Sequence, residues 1–83
     1  MKKIVTVIAA FNLVACATEF KIVSDDVPAV VADAFKSKYP NATKPVWEVE
    51  KHEGRLVYEA MFKADGKSKE AVFKPDGTFV AEE

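Results

Sequence analysis

Eighty-three residues and 9.2 kDa make one small domain and exclude a two-lobed enzyme with a cleft between domains. Hydrophobic residues at 49% and charged residues at 30%, with three Gly and four Pro, describe a chain that folds and is neither disordered nor collagenous. Twelve basic against thirteen acidic residues leave a net charge of -1, so no positive field gathers nucleic acid, and the single cysteine excludes an internal disulfide or a multi-cysteine zinc site.

Met1-Lys2-Lys3 precedes an apolar run, Ile4 to Ala15, with no charge until Glu19. A positive start followed by a short apolar stretch reads as an export leader, residues 1–15. The run falls short of the roughly 20 apolar residues that a membrane-spanning helix needs. Leu13-Val14-Ala15-Cys16 is similar to the lipobox of bacterial lipoproteins, in which the cysteine is diacylated and becomes the new N-terminus. Ala15-Cys16-Ala17 also fits an ordinary secretory cleavage site, and a buried strand with Cys16 as a small core residue is a third reading. Lipidation at Cys16 is the expectation adopted, because the motif demands a cysteine where the chain places its only one. Loss of Lys2 and Lys3 with the leader then moves the net charge from -1 to -3. The mature protein is expected as a periplasmic or outer-surface, membrane-anchored lipoprotein.

Residues 16–26 read as a tether, with room for a short strand at Phe20 to Val23. From Val27 the apolar residues Val27, Val30, Val31, Ala34 and Phe35 recur at helical spacing, opposite Asp33, Lys36 and Ser37. Pro28 suits a first helical turn, Asp25 and Asp26 suit the positive end of the dipole, and Pro40 drives Tyr39 out of helical geometry. These signals predict one amphipathic helix of about three turns.

Beyond Lys44 the period becomes two, and turn signals at Glu53-Gly54, Asp65-Gly66 and Pro75-Asp76-Gly77 separate four strand-length runs. Two-residue turns at the first two sites and a three-residue loop at the third set a register. Val49 then faces Tyr58, Trp47 faces Ala60, Tyr58 faces Phe73, and Phe73 meets Phe79. One face collects Trp47, Val49, Leu56, Tyr58, Ala60, Phe62, Ala71, Phe73, Phe79 and Ala81, and should pack on the helix. The expected fold is therefore α+β, one helix on a four-stranded antiparallel meander, with the domain spanning residues 27–83.

The opposite face holds Val46, Glu48, Glu50, Val57, Glu59, Met61, Ser68, Glu70, Val72, Val80 and Glu82. Glu48 falls opposite Glu59, a like-charge pair that is unfavourable unless Lys63, Lys74 or a partner neutralises it. One reading is a solvated face whose carboxylates keep the protein soluble. The other is a docking surface in which Val57, Met61 and Val72 form an apolar stripe and Glu48, Glu50, Glu59 and Glu70 face a basic partner.

Chemistry is sparse. His52 is the only histidine and sits beside a predicted turn; Ser24, Ser37 and Ser68 lack nucleophile context, and no glycine-rich phosphate loop is present. A shared proton between Glu48 and Glu59 would require burial that an open sheet face is not expected to give. Asn41-Ala42-Thr43 matches a glycosylation sequon that a bacterial lipobox makes incidental. Neither enzyme activity nor a cofactor or metal is expected.

Val27-Pro28, Phe35-Lys36-Ser37-Lys38-Tyr39-Pro40-Asn41-Ala42, Val46-Trp47-Glu48, Tyr58-Glu59-Ala60-Met61-Phe62, Asp65-Gly66-Lys67, Val72-Phe73 and Asp76-Gly77 follow in an order that resembles the PepSY-like family, related to the repeats of beta-lactamase inhibitor protein. The resemblance covers residues 27–83. It implies a helix packed on a four-stranded sheet, an exported envelope protein, and a non-catalytic role with protease or hydrolase inhibition as the suggested activity. Beta-lactamase inhibitor protein uses two such repeats and this chain has one, so lactamase inhibition itself is not implied. The function expected is a protein- or peptide-binding module. Its alternatives are a structural or dimerisation module, in which an edge strand near Val80 pairs with a second copy, and a small-ligand carrier.

Overall fold

The computed structural model describes residues 19–83. The expected leader, residues 1–15, and the expected lipidation site Cys16 lie outside the described residues. The elements in chain order are β1 (Glu19–Ile22), a 3-10 turn (Ser24–Asp26), α1 (Ala29–Lys38), β2 (Val46–His52), β3 (Arg55–Ala64), β4 (Lys67–Phe73) and β5 (Phe79–Glu82). All five strands are antiparallel and lie in sequence order, so the architecture is α+β with one helix.

The strand count corrects the expected four. Within the expected tether, Glu19–Ile22 form β1, which pairs along the free edge of β2, with Phe20 opposite Val49 and Ile22 opposite Trp47. The physical cause is the unpaired row of backbone groups that β2 would otherwise present.

The helix forms where its periodicity indicates. Pro28 precedes it, with an extended backbone, and its carbonyl accepts hydrogen bonds from the Val31 and Ala32 N–H groups. At the other end Tyr39 leaves helical geometry before Pro40 while its N–H still reaches the Phe35 carbonyl. Val27, Val31 and Phe35 are buried, whereas Val30 is half exposed at the edge of the stripe.

Glu53 and Gly54, and again Asp65 and Gly66, all have positive φ, the signature of two-residue hairpin turns of type I′. They produce the expected pairs Trp47 with Ala60, Val49 with Tyr58, Tyr58 with Phe73, and Ala60 with Ala71. The helix-side face is therefore a real core of Trp47, Ala60, Phe62, Ala71 and Phe73 beneath Val27, Val31 and Phe35. Trp47 is 3% exposed and meets Phe35 edge-on at 5.6 Å between ring centroids, while Phe35 meets Phe62 at 4.9 Å. Leu56 was expected on this face, but it lies near the Gly54 turn and remains exposed.

The last strand departs from simple alternation. Phe73 pairs with Phe79 as expected, but Val72 pairs with Ala81 and Ala71 with Glu82, so Val80 is an extra residue in a β-bulge. A bulge shifts every later side chain to the other face. Ala81 consequently lies opposite outward-facing Val72, and Glu82 lies on the helix side, the reverse of the expected assignment for both.

Candidate functional site

The face turned away from the helix is built by alternation along three interior strands, and its register is the expected one. Glu48 lies opposite Glu59, Glu59 opposite Val72, Glu50 opposite Val57, and Met61 opposite Glu70. All seven candidate docking residues, Glu48, Glu50, Val57, Glu59, Met61, Glu70 and Val72, are thus brought onto one surface. β1 adds a residue that the sequence reading missed: Lys21 falls opposite Glu48. Recognising β1 as a strand would have supplied this cation, which offsets the like-charge juxtaposition of Glu48 and Glu59.

The burial of this face differs from the open, solvated surface expected. Glu50 is 0% and Glu59 4% exposed, and Val57 and Val72 are buried with them, whereas Glu48, Met61 and Glu70 are half-buried. Val57 and Val72 form a small apolar cluster of their own, separate from the core beneath α1. Both carboxylate oxygens of Glu50 are buried without a hydrogen-bond partner. A buried carboxylate in that state is costly, and native structures rarely keep one without a reason.

Two of the seven residues, Met61 and Glu70, also border a hollow of about 600 Å³ with Lys63, Ser68, Lys69 and Glu83. On the helix side a second hollow, about 460 Å³, lies between the C-terminal half of α1 and β2, over Phe35, Tyr39 and Trp47. Its polar margin comes from Ser24, Asp25, Lys36 and Thr43. The described residues contain no group of His, Cys, Asp and Glu side chains suited to a metal ion, and no helix among them is long and apolar enough to cross a membrane.

The bulge creates a polar cluster on the helix side. The Tyr39 hydroxyl donates to Glu82 Oε1 at 2.8 Å, and Lys69 Nζ donates to Glu82 Oε2 at 3.0 Å. Partial burial works against ionisation of Glu82, but the hydrogen bonds from Tyr39 and Lys69 and the attraction of Lys69 and Lys38 outweigh it and hold the carboxyl below its ordinary range. Burial, followed by the bond to Glu82 and its negative charge, pushes the Tyr39 phenol well above its usual value. Sequence reasoning had placed Glu82 on the outer face; the run Phe79-Val80-Ala81, apolar at three consecutive positions, is the signal that alternation breaks there.

Comparison with known proteins gives no significant match to any family model, curated protein or solved structure.

Proposed function

We propose that the protein is a non-enzymatic, exported and lipid-anchored binding module whose outer sheet face receives a basic, apolar segment of another protein. The observation that carries this reading is Glu50: a fully buried carboxylate with no hydrogen-bond partner, set beside the Val57–Val72 cluster on a face the helix does not use. A cation delivered by a partner would satisfy that group, and apolar side chains on either side of the cation would cover Val57, Met61 and Val72. Glu48 and Glu70, both half-buried, supply further acceptors around the same stripe.

The required occupant is an apolar segment carrying a positive charge. Residues 1–15 of this chain have that composition, with Lys2 and Lys3 ahead of Ile4 to Ala15. Under the export reading the mature chain lacks them, so its face is offered to a partner of the same chemistry. The resemblance to PepSY-like proteins fits a non-catalytic role of this kind, with inhibition of an envelope protease or hydrolase as one form of it.

Charge reversal at the two half-buried acids tests the proposal. The double variant Glu48→Lys, Glu70→Lys of the mature chain keeps the wild-type circular dichroism spectrum and loses capture of its envelope partner by about tenfold or more, as expected when interfacial charge pairs become repulsive. Undiminished capture by the folded variant would remove the outer face from the function.

A further inference from the structure

We infer that the mature protein sits directly on the lipid bilayer, with the Glu53–Gly54 end of its sheet against the membrane and Phe20 and Leu56 entering the interface. The inference rests on the proposed acylation of Cys16, and adds the orientation that the fold then imposes. β1 begins at Glu19, only three residues after Cys16, so the lipid attachment lies within about 10 Å of the sheet even with that chain fully extended. This leaves no tether long enough to let the domain tumble away from the surface.

The direction of β1 decides which end is held down. Glu19 pairs with Glu50 and Ile22 with Trp47, so the start of β1 lies toward the end of β2 and the Glu53–Gly54 turn. The β4–β5 loop is at the same end, because Phe73, the last residue of β4, pairs with Tyr58 near the start of β3. That end carries an apolar rim. Phe20 is 66% and Leu56 44% exposed, and Phe79 and Val80 are also exposed at the start of β5. Two further exposed valines, Val23 and Val46, lie toward the opposite end of β1 and β2, but that end has no aromatic side chain among the large exposed apolar residues.

The charges at the held end suit a bilayer surface as well. Lys51, Arg55 and Lys74 balance Glu19, Glu53 and Asp76 there, so this end is not acidic although the mature chain as a whole is. Long basic side chains beside apolar ones let the apolar groups enter the acyl boundary while the cations remain among the headgroups. In this orientation the outer sheet face stands beside the membrane and stays open to a partner.

The test uses the chain matured in a bacterial envelope, purified, and reconstituted in vesicles of phosphatidylethanolamine and phosphatidylglycerol with or without brominated acyl chains. Phe20→Trp introduces a reporter at the proposed contact, Lys67→Trp one at the far hairpin, and buried Trp47 contributes the same background to both. Mass spectrometry of each sample reports acylation at Cys16. The expected result is acyl mass on Cys16, with a blue shift and bromine-dependent loss of the added emission at position 20 and neither at position 67. Acylated protein quenched at position 67, or at neither position, would overturn the orientation and leave the anchor standing. Absence of acyl mass would overturn the anchor and the orientation with it.

Discussion

Glu50 and Glu82 show how one residue type takes opposite roles on the two faces of one sheet. Glu82 is satisfied by Tyr39 and Lys69, whereas Glu50 is sealed away with both oxygens unpaired. Replacing Glu50 with Met, of similar bulk, should therefore stabilise the 83-residue chain by about 1–3 kcal/mol in urea unfolding while weakening partner binding. A Glu50→Met chain that is less stable than wild type would mean that the carboxylate is already satisfied. For Glu82 the carboxyl is held below its ordinary range, so its contribution is complete above the unfolded-state value and disappears as pH falls through the lower folded-state value. The wild type should lose more stability than Glu82→Gln between about pH 5 and pH 2, and a Tyr39→Phe, Glu82→Gln cycle at neutral pH should give a coupling of about 0.5–1.5 kcal/mol. Parallel pH curves for wild type and Glu82→Gln would contradict the assignment.

At the scale of elements, turn chemistry explains why so much of the register was legible. Glu53-Gly54 and Asp65-Gly66 each demand a two-residue loop, and each loop fixes the pairing of the strands it joins. Pro75-Asp76-Gly77 closes as a three-residue loop, with the Lys74 N–H bonded to the Thr78 carbonyl at 2.8 Å and the Thr78 N–H to Asp76 Oδ1 at 2.9 Å. Gly77 has a second duty. Its φ is +92°, and an added Cβ would stand 3.0 Å from both Val30 Cγ2 and the Val30 carbonyl oxygen. Gly77→Ala should thus cost about 2 kcal/mol or more in denaturant unfolding, from backbone strain together with displacement of α1. Gly54→Ala, with nothing within 4 Å of the new Cβ, should pay for its positive φ alone and lose less. Equal losses at the two glycines would remove the contact between the β4–β5 loop and the helix from the stability account. The β5 bulge has no glycine to mark it and shows only in the unbroken apolar run Phe79-Val80-Ala81, and β1 reads only as an optional strand because its four residues have no turn signal of their own.

For the molecule as a whole, the sequence pattern divides the side chains of β2, β3 and β4 into a helix-facing core and an outer face as the structure has them, and fails only beyond the β5 bulge, at Ala81 and Glu82. Trp47, Phe62 and Phe73 lie under α1, and Glu48, Glu59 and Met61 lie opposite them. Composition and alternation could not anticipate that the acidic side would bury Glu50 and Glu59, since burial depends on what flanks a position in three dimensions. Under the proposed function, the buried and unpaired Glu50 carboxylate is what gives the second face its role. The most direct measurement of its role is photo-crosslinking in the native envelope, with a benzophenone side chain at Met61 on the outer face and at Lys36 on the exposed side of α1. The account predicts a discrete protein adduct from position 61 that Glu48→Lys, Glu70→Lys abolishes, and none from position 36. Adducts from position 36 alone, or an adduct at position 61 indifferent to the reversed charges, would contradict it.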